Sequence, residues 1–417
     1  MHRFVLALLM GLGCGSSSVW GSIAKPWGEF RGPTGQGHAS VKTVPLHWSG
    51  EKNVAWKTVI PGGGWSSPVV DDRAVYVTAA EPAGGASSLT LRVISLDKAS
   101  GQVNWDVPVF QPQAGKVAGI HNKNSQASPT PLIAGERVYV HFGHLGTACL
   151  TTRGALVWTN ESLWYPPVHG NGGSPALFGD RLYFSCDAGE DPFVAAVSTK
   201  DGKLVWKVNR ETQAKKTFSF STPLVIEVGG RKQLISPGSG VVGGYDPANG
   251  TELWRVNYGE GYSVVPRPIF AHGLLFIGTG YDRPSVLAIR AGGTGDVTQT
   301  HVVWKTTRGA PNTPSLLVVG DELYMVSDGG ILSCLDAKTG REHWQERVGG
   351  NVSASPVYAA GRIYVQNEEG LGVVVKAGRT FEKLAANDLK ERTLASYAME
   401  EGSIYIRSAK HVFKIRE

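Results

Sequence analysis

Apolar residues in this chain come in short runs, each closed by a turn signal, and the stretch Asn312–Gly350 shows the pattern most clearly. Ser315–Val319 and Glu322–Ser327 flank Gly320-Asp321, a pair that tolerates positive φ and closes a tight hairpin. Asp328-Gly329-Gly330 leads into a third run, Ile331–Leu335. Asp336-Ala337-Lys338-Thr339-Gly340 then turns the chain into a fourth run that carries Trp344. The pattern predicts a four-stranded antiparallel meander of roughly 40 residues, the size of one propeller blade. One such sheet cannot bury both faces, so the unit has meaning only if it recurs.

Two markers show that it does. The first is a small residue before proline at the start of an apolar strand: Ser67-Pro68, Ser128-Pro129, Ser174-Pro175, Thr222-Pro223, Thr313-Pro314 and Ser355-Pro356. Arg267-Pro268 is a variant, and Ser396-Tyr397 is a last copy without proline. The second marker is a glycine turn followed by a tryptophan strand, as in Asp97–Gly101 with Trp105, Asp201-Gly202 with Trp206 and Asp246–Gly250 with Trp254. Trp158 and Trp304 belong to looser copies. Glycine supplies the positive φ of the turn, and the indole covers the next sheet.

The markers count eight units, and the eighth, Ser396–Ile415, has only three evident strands. Lys52–Ile60, with Trp56, is a tryptophan strand without a unit of its own. The economical solution is an all-β, eight-bladed β-propeller in which this N-terminal strand completes the C-terminal blade. A closed ring leaves no terminal sheet edge exposed, whereas an open solenoid needs capping repeats. Trp56, Trp105, Trp158, Trp206, Trp254, Trp304 and Trp344 are then core residues at repeat spacing. Residues 52–417 form the propeller, and residues 25–51, rich in Gly and Pro with Trp27, Phe30 and Trp48, form an ordered strap on the ring.

Composition adds little to that picture, with Gly 54 and Trp 12 suiting many strands joined by tight turns. The net charge of +6 is spread without a Lys/Arg run, so nucleic acid is not an expected partner. Residues 1–24 read as an export signal: a basic start, apolar Phe4–Leu12 and a small-residue cleavage site at Ser22-Ile23-Ala24. Lipid attachment at Cys14 is the alternative. Both readings export the chain to the periplasm or cell envelope, and no stretch is long and apolar enough for a transmembrane helix. Cys149, Cys186 and Cys334 fall on separate predicted strands and read as buried small residues.

The unit Leu335-Asp336-Ala337-Lys338-Thr339-Gly340-Arg341-Glu342-His343-Trp344 resembles the PQQ-like (pyrroloquinoline quinone) repeat of the quinoprotein dehydrogenases. It is also similar to the repeat of the BamB-like propellers of outer-membrane assembly. The enzyme branch implies a quinone with calcium, an adjacent pair of cysteines and a catalytic Asp. No two cysteines are adjacent here and no Cys-x-x-Cys-His haem site is present, so neither PQQ nor calcium is expected. The other branch implies an envelope scaffold that binds protein partners with its loops.

Propeller topology puts short, uniform hairpins on one face and long, varied loops on the other. Irregular loops on a rigid frame are where binding concentrates. The candidates are His121, Asn122 and Asn124; His144; Trp164, Tyr165, His169 and Asn171; Lys216 and Phe218; Tyr262 and Arg267; and Tyr281, Asp282 and Arg283. The four histidines, His141 included, are read as hydrogen-bonded loop residues and not as metal ligands. Asp187, Glu190, Asp191 and Asp282 are read as turn formers and not as an acid–base pair. These positions lie on blades two to five and suit a protein partner, a peptide or a polar ligand. No catalytic residue is expected. The expected function is a non-catalytic binding scaffold, with a quinoprotein-type oxidoreductase or a hydrolase at the channel mouth as the alternative.

Overall fold

The computed structural model describes residues 26–82 and 89–417, so the segment read as an export signal, with Cys14, lies outside the described residues. Eight sheets follow one another along the chain, each built on four antiparallel strands. Blades one to seven run within residues 69–110, 132–160, 176–209, 224–257, 269–306, 317–347 and 357–388. Blade eight takes three strands from residues 398–416, and Val54–Val59 pairs antiparallel with His411–Arg416 as its fourth. The ring is closed by the N-terminal strand, as the orphan tryptophan strand predicts. Short parallel strands extend two blades: His38–Ala39 on the inner edge of blade seven, and Gly295–Asp296 on the outer edge of blade four.

The outer ring is held by tryptophans. In every blade the ladder between the third and fourth strands slips by one residue, in most of them beside the tryptophan. Such a bulge raises the local twist and re-aims side chains. Six indoles then donate Nε1–H to a carbonyl in the turn of the following blade: Trp56 to Lys98, Trp105 to Thr152, Trp158 to Thr199, Trp206 to Pro247, Trp304 to Ala337 and Trp344 to Gly378, at 3.0–3.1 Å. The turn must lack a side chain to receive the ring. At Gly202, with φ +71°, a Cβ would stand 2.5 Å from the Trp158 ring. Trp254 departs from the series: it is fully buried and donates to Gln233 of its own blade at 2.7 Å.

The inner ring is held by hydroxyls. Ser67 N–H donates to Thr130 Oγ1, Thr130 to Ser174 Oγ, and Ser174 to Thr222 Oγ1, at 2.9–3.0 Å. Arg267 N–H donates to Ser315, Ser315 to Ser355, Ser355 to Ser396 and Ser396 back to Ser67, at 2.9–3.1 Å. Seven of eight seams carry this link, and the seam between blades four and five lacks it because Arg267 has no hydroxyl. The equivalent positions in blades two and six are Thr130-Pro131 and Ser315-Leu316. These lie two residues beyond the Ser128-Pro129 and Thr313-Pro314 pairs that the sequence marker selects, because only a hydroxyl in this register reaches the neighbouring amide.

The strap crosses the hairpin face and closes the channel there. Trp27 and Gly28 carbonyls accept from Val70 and Ile133 in blades one and two, at 2.8 and 2.7 Å. Arg31, 1% exposed, reaches across to the carbonyls of Leu316 and Pro356 in blades six and seven. Blade seven carries Ala385 on its fourth strand, with no indole for the next seam. Trp48 of the strap fills the gap, stacked 6.3 Å from Tyr364 and edge-on to Tyr397 at 6.2 Å. Cys149, Cys186 and Cys334 are free and buried on separate blades.

Ser396→Ala leaves the Ser355 amide buried without an acceptor. We expect a loss of about 1–3 kcal/mol in denaturant unfolding, with Ser396→Thr close to wild type.

Candidate functional site

The central channel opens on the loop face as a cup of about 560 Å³ lined by residues of all eight blades. Phe30 of the strap lies at its closed end, the inner hydroxyl ring forms the lower wall, and aromatic and polar side chains form the mouth. One side of the mouth is a continuous arc of rings from blade two to blade five. His121 meets His169 at 5.8 Å, His169 meets Phe218 at 5.4 Å, Phe218 meets Tyr262 at 5.3 Å and Tyr262 meets Tyr281 at 6.3 Å. All but one of these contacts are edge-on, the geometry that ring quadrupoles favour.

The other side is roofed by the loop that enters blade two. His121 N–H donates to the His169 carbonyl on one flank. On the far flank Lys123 pairs with Glu368 of blade seven at 2.7 Å, and Arg392 donates to the Asn122 carbonyl at 3.0 Å. The Arg392 guanidinium also lies 5.5 Å from the Trp65 ring. The insertion before blade two therefore spans the mouth over blades eight and one, leaving the aromatic arc as the open side.

The structure sorts the candidates read from the sequence into four groups. His121, Asn124, His169, Phe218, Tyr262 and Tyr281 line the cup together. Asn122, Trp164, Lys216, Asp282 and Arg283 sit on the rim. Lys216 lies 3.9 Å from the Tyr262 ring and 3.9 Å from Asp282, whose carboxylate accepts from Tyr262 Oη at 3.0 Å. Trp164 is 53% exposed and rests edge-on against His144.

His144, Tyr165 and Asn171 are buried behind the rim as one network. His144 Nε2–H donates to the Lys116 carbonyl at 2.8 Å, so its Nδ1 accepts from Asn171 at 3.0 Å. Asn171 Oδ1 in turn accepts from Tyr165 Oη at 3.0 Å. These three residues shape the loops and do not face the cup.

Arg267 points away from the mouth. It is 2% exposed and donates to the Phe30 carbonyl and the Glu29 carboxylate of the strap, at 2.5 and 2.9 Å. Its place in the repeat is that of the missing hydroxyl, which explains why it faces the channel end and not the rim.

Phe30, Trp65, Asn312, Asp328 and the hydroxyl ring were not among the candidates, yet they line the cup. The signal for the ring was in plain sight, since the repeated Ser/Thr that marks each blade also coats the channel. Among the described residues, no group of three or more His, Cys, Asp or Glu is placed to hold a metal ion. Asp187 lies away from Asp282, buried in an ion pair with Arg210 at 2.8 Å. Burial pushes its carboxyl upward, and the Arg210 charge and hydrogen bond oppose that. Arg210 is further held by Ser236, through the carbonyl at 2.7 Å and Oγ at 2.6 Å.

Comparison with known proteins places this architecture. The family model described as "Outer membrane protein assembly factor BamB" matches residues 46–162, 92–317 and 238–392. The crystal structure of BamB from Moraxella catarrhalis is similar over 87% of this chain and 99% of its own, at 13% identity and a TM-score of 0.57. The computationally designed Ika8 protein is similar over 85% of this chain and 100% of its own, at 11% identity and a TM-score of 0.59. No curated protein matches by sequence.

Burial pushes the His141 imidazole down to about 3, with His144 contributing, and burial also lowers His144. Both values lie below the unfolded value of about 6.5. The stability from keeping them neutral is therefore complete above about pH 6.5 and is lost as pH falls toward 3. We expect the melting temperature to fall over that range, and His141→Phe to flatten the acid limb. Arg210→Met, which strands the Asp187 carboxylate, should cost about 3–5 kcal/mol in unfolding free energy.

Proposed function

Because the chain belongs to the family of the outer membrane protein assembly factor BamB, we propose that it is an exported, non-catalytic scaffold of the cell envelope that holds a protein or peptide partner on its loop face. The observation that carries this reading is the rim. Trp164 and Ile120, 53% and 45% exposed, stand on loops fastened to rigid blades beside the aromatic arc. Exposed aromatics on a preorganised surface are the side chains that anchor protein interfaces. Lys216, Asp282 and Arg283 add charges of both signs, which suits the polar edge of a protein contact better than a nucleic-acid stripe. The strap closes the channel on the hairpin face, so the cup opens on the loop face. Export would follow from residues 1–24, either by cleavage or by lipid attachment at Cys14.

A quinoprotein or hydrolase reading has less support. Calcium takes about six to eight oxygen ligands, carboxylates prominent among them. Asp328 is the one carboxylate among the residues lining the cup, and its Oδ2 is already held by the Asn312 amide at 2.6 Å. The donor set of the cup does not fit a quinone–calcium pair.

Photo-crosslinking in intact cells from position 164 should capture a defined envelope protein that position 178, on the hairpin face, does not. Trp164→Ala should weaken that complex about tenfold or more, equivalent to about 1.4 kcal/mol. Equal capture from both positions would sink the reading. So would stoichiometric quinone uptake with calcium followed by alcohol-dependent dye reduction.

A further inference from the structure

The cup beneath the rim has chemistry that partner binding at the rim does not use. A hydroxyl offers one donor and two acceptor lone pairs. In the inner ring each hydroxyl gives a lone pair to the amide of the preceding blade. Among the described residues none of these seven O–H groups has an acceptor within hydrogen-bond distance. Six of the seven line the cup, all but Thr222. The lower wall is thus a circle of hydroxyls, each with an O–H group and a second lone pair to spare. Above and below it stand flat apolar surfaces, Phe30 at the closed end and Trp65, Phe218, Phe220, Tyr262 and Tyr281 toward the mouth.

Lys123 is paired with Glu368 at 2.7 Å, whereas Asp328 has no cationic partner: its Oδ2 accepts the Asn312 amide, and the buried Asp328 Oδ1 and Asn312 Oδ1 have no hydrogen-bond partner among the described residues. A multiply charged anion would find no free counter-charge and would meet the Asp328 carboxylate, whereas the hydroxyls of a neutral ligand can donate to Asp328 Oδ1 and Asn312 Oδ1. A purely apolar ligand would strip water from six hydroxyls and return no acceptor, at about 1–3 kcal/mol for each group. The remaining complement is a neutral molecule with hydrogen-bonding edges and apolar C–H faces. The cavity volume of about 560 Å³ lies within the range of small-ligand pockets, about 300–1,000 Å³.

We infer that the cup is a binding site for a neutral sugar of one or two rings. Its ring and hydroxyl oxygens accept from the serine and threonine O–H groups, and its C–H faces lie against the aromatic rings. The site is separate from the rim, so it holds whether or not a protein partner docks there.

Saturation-transfer NMR on the full exported chain, with glucose, N-acetylglucosamine, maltose and cellobiose as probes, tests this directly. At least one of these sugars should show transfer to its ring C–H protons and bind with a Kd in about the millimolar range, while the anionic glucuronate binds at least tenfold more weakly. Tyr262→Ala should weaken binding about tenfold with the fold intact by near-UV circular dichroism. Ser174→Ala should weaken it while lowering the melting temperature. The inference fails if none of the four neutral sugars shows transfer, if glucuronate binds equally well, or if neither variant changes the affinity. Crosslinking from position 164 is unaffected by any of these results, so the partner reading stands or falls separately.

Discussion

Around the channel, a backbone amide at the start of each inner strand points across the seam toward the next blade with no ladder partner of its own. A buried amide left unpaired is expensive. Here the hydroxyl of the next blade's serine or threonine accepts seven of the eight, and the chain of links returns from Ser396 to Ser67. Because each blade satisfies its predecessor, no blade is complete alone. The ring closes only when the last amide, Ser396 N–H, meets the first hydroxyl, Ser67 Oγ. Outside it, the indole contacts repeat the same logic at larger radius, five of the six docking tryptophans needing the bare glycine turn of the neighbouring blade.

The two places where this logic lapses are where the strap is fastened. At the seam of blades four and five the hydroxyl is replaced by Arg267, and Trp254 turns inward. The guanidinium instead grips Phe30 and Glu29. At the seam of blades seven and eight no indole is available, and Trp48 supplies one from the strap. A segment with almost no regular structure is thus held by buried contacts to most of the ring. Its consequence for function is geometric, since it converts an open channel into a cup with one entrance.

That entrance inherits its character from the loops. Short hairpins are constrained by their turn geometry, whereas the loops between blades are free to vary, and they carry the aromatic arc and the roofing loop of residues 111–124. Lys123 and Asn122 reach blade seven and its following loop, far along the chain from their own blade. Below the entrance the lining is uniform because the repeat is uniform. Rim and cup therefore differ in chemistry for the same reason that loops and strands differ.

How much of this was legible follows from the range over which each signal acts. The eight blades, the closing strand and six of the docking tryptophans could be read from the sequence. Turn chemistry and alternation are local, and a repeat multiplies them. The register at Thr130 and Ser315 was misplaced by two residues, because proline marks a strand start but not the hydroxyl that reaches across. His144, Tyr165 and Asn171 could be read as loop residues, yet only packing shows that they hydrogen-bond one another behind the rim. Arg267 was grouped with the mouth because it sits in the repeat, and its direction depends on the strap. The sequence by itself determined the repeat, the ring and its closure, since these rest on neighbouring residues. The tertiary structure decided which side chains share the cup and which face is open, because those depend on contacts between residues hundreds of positions apart.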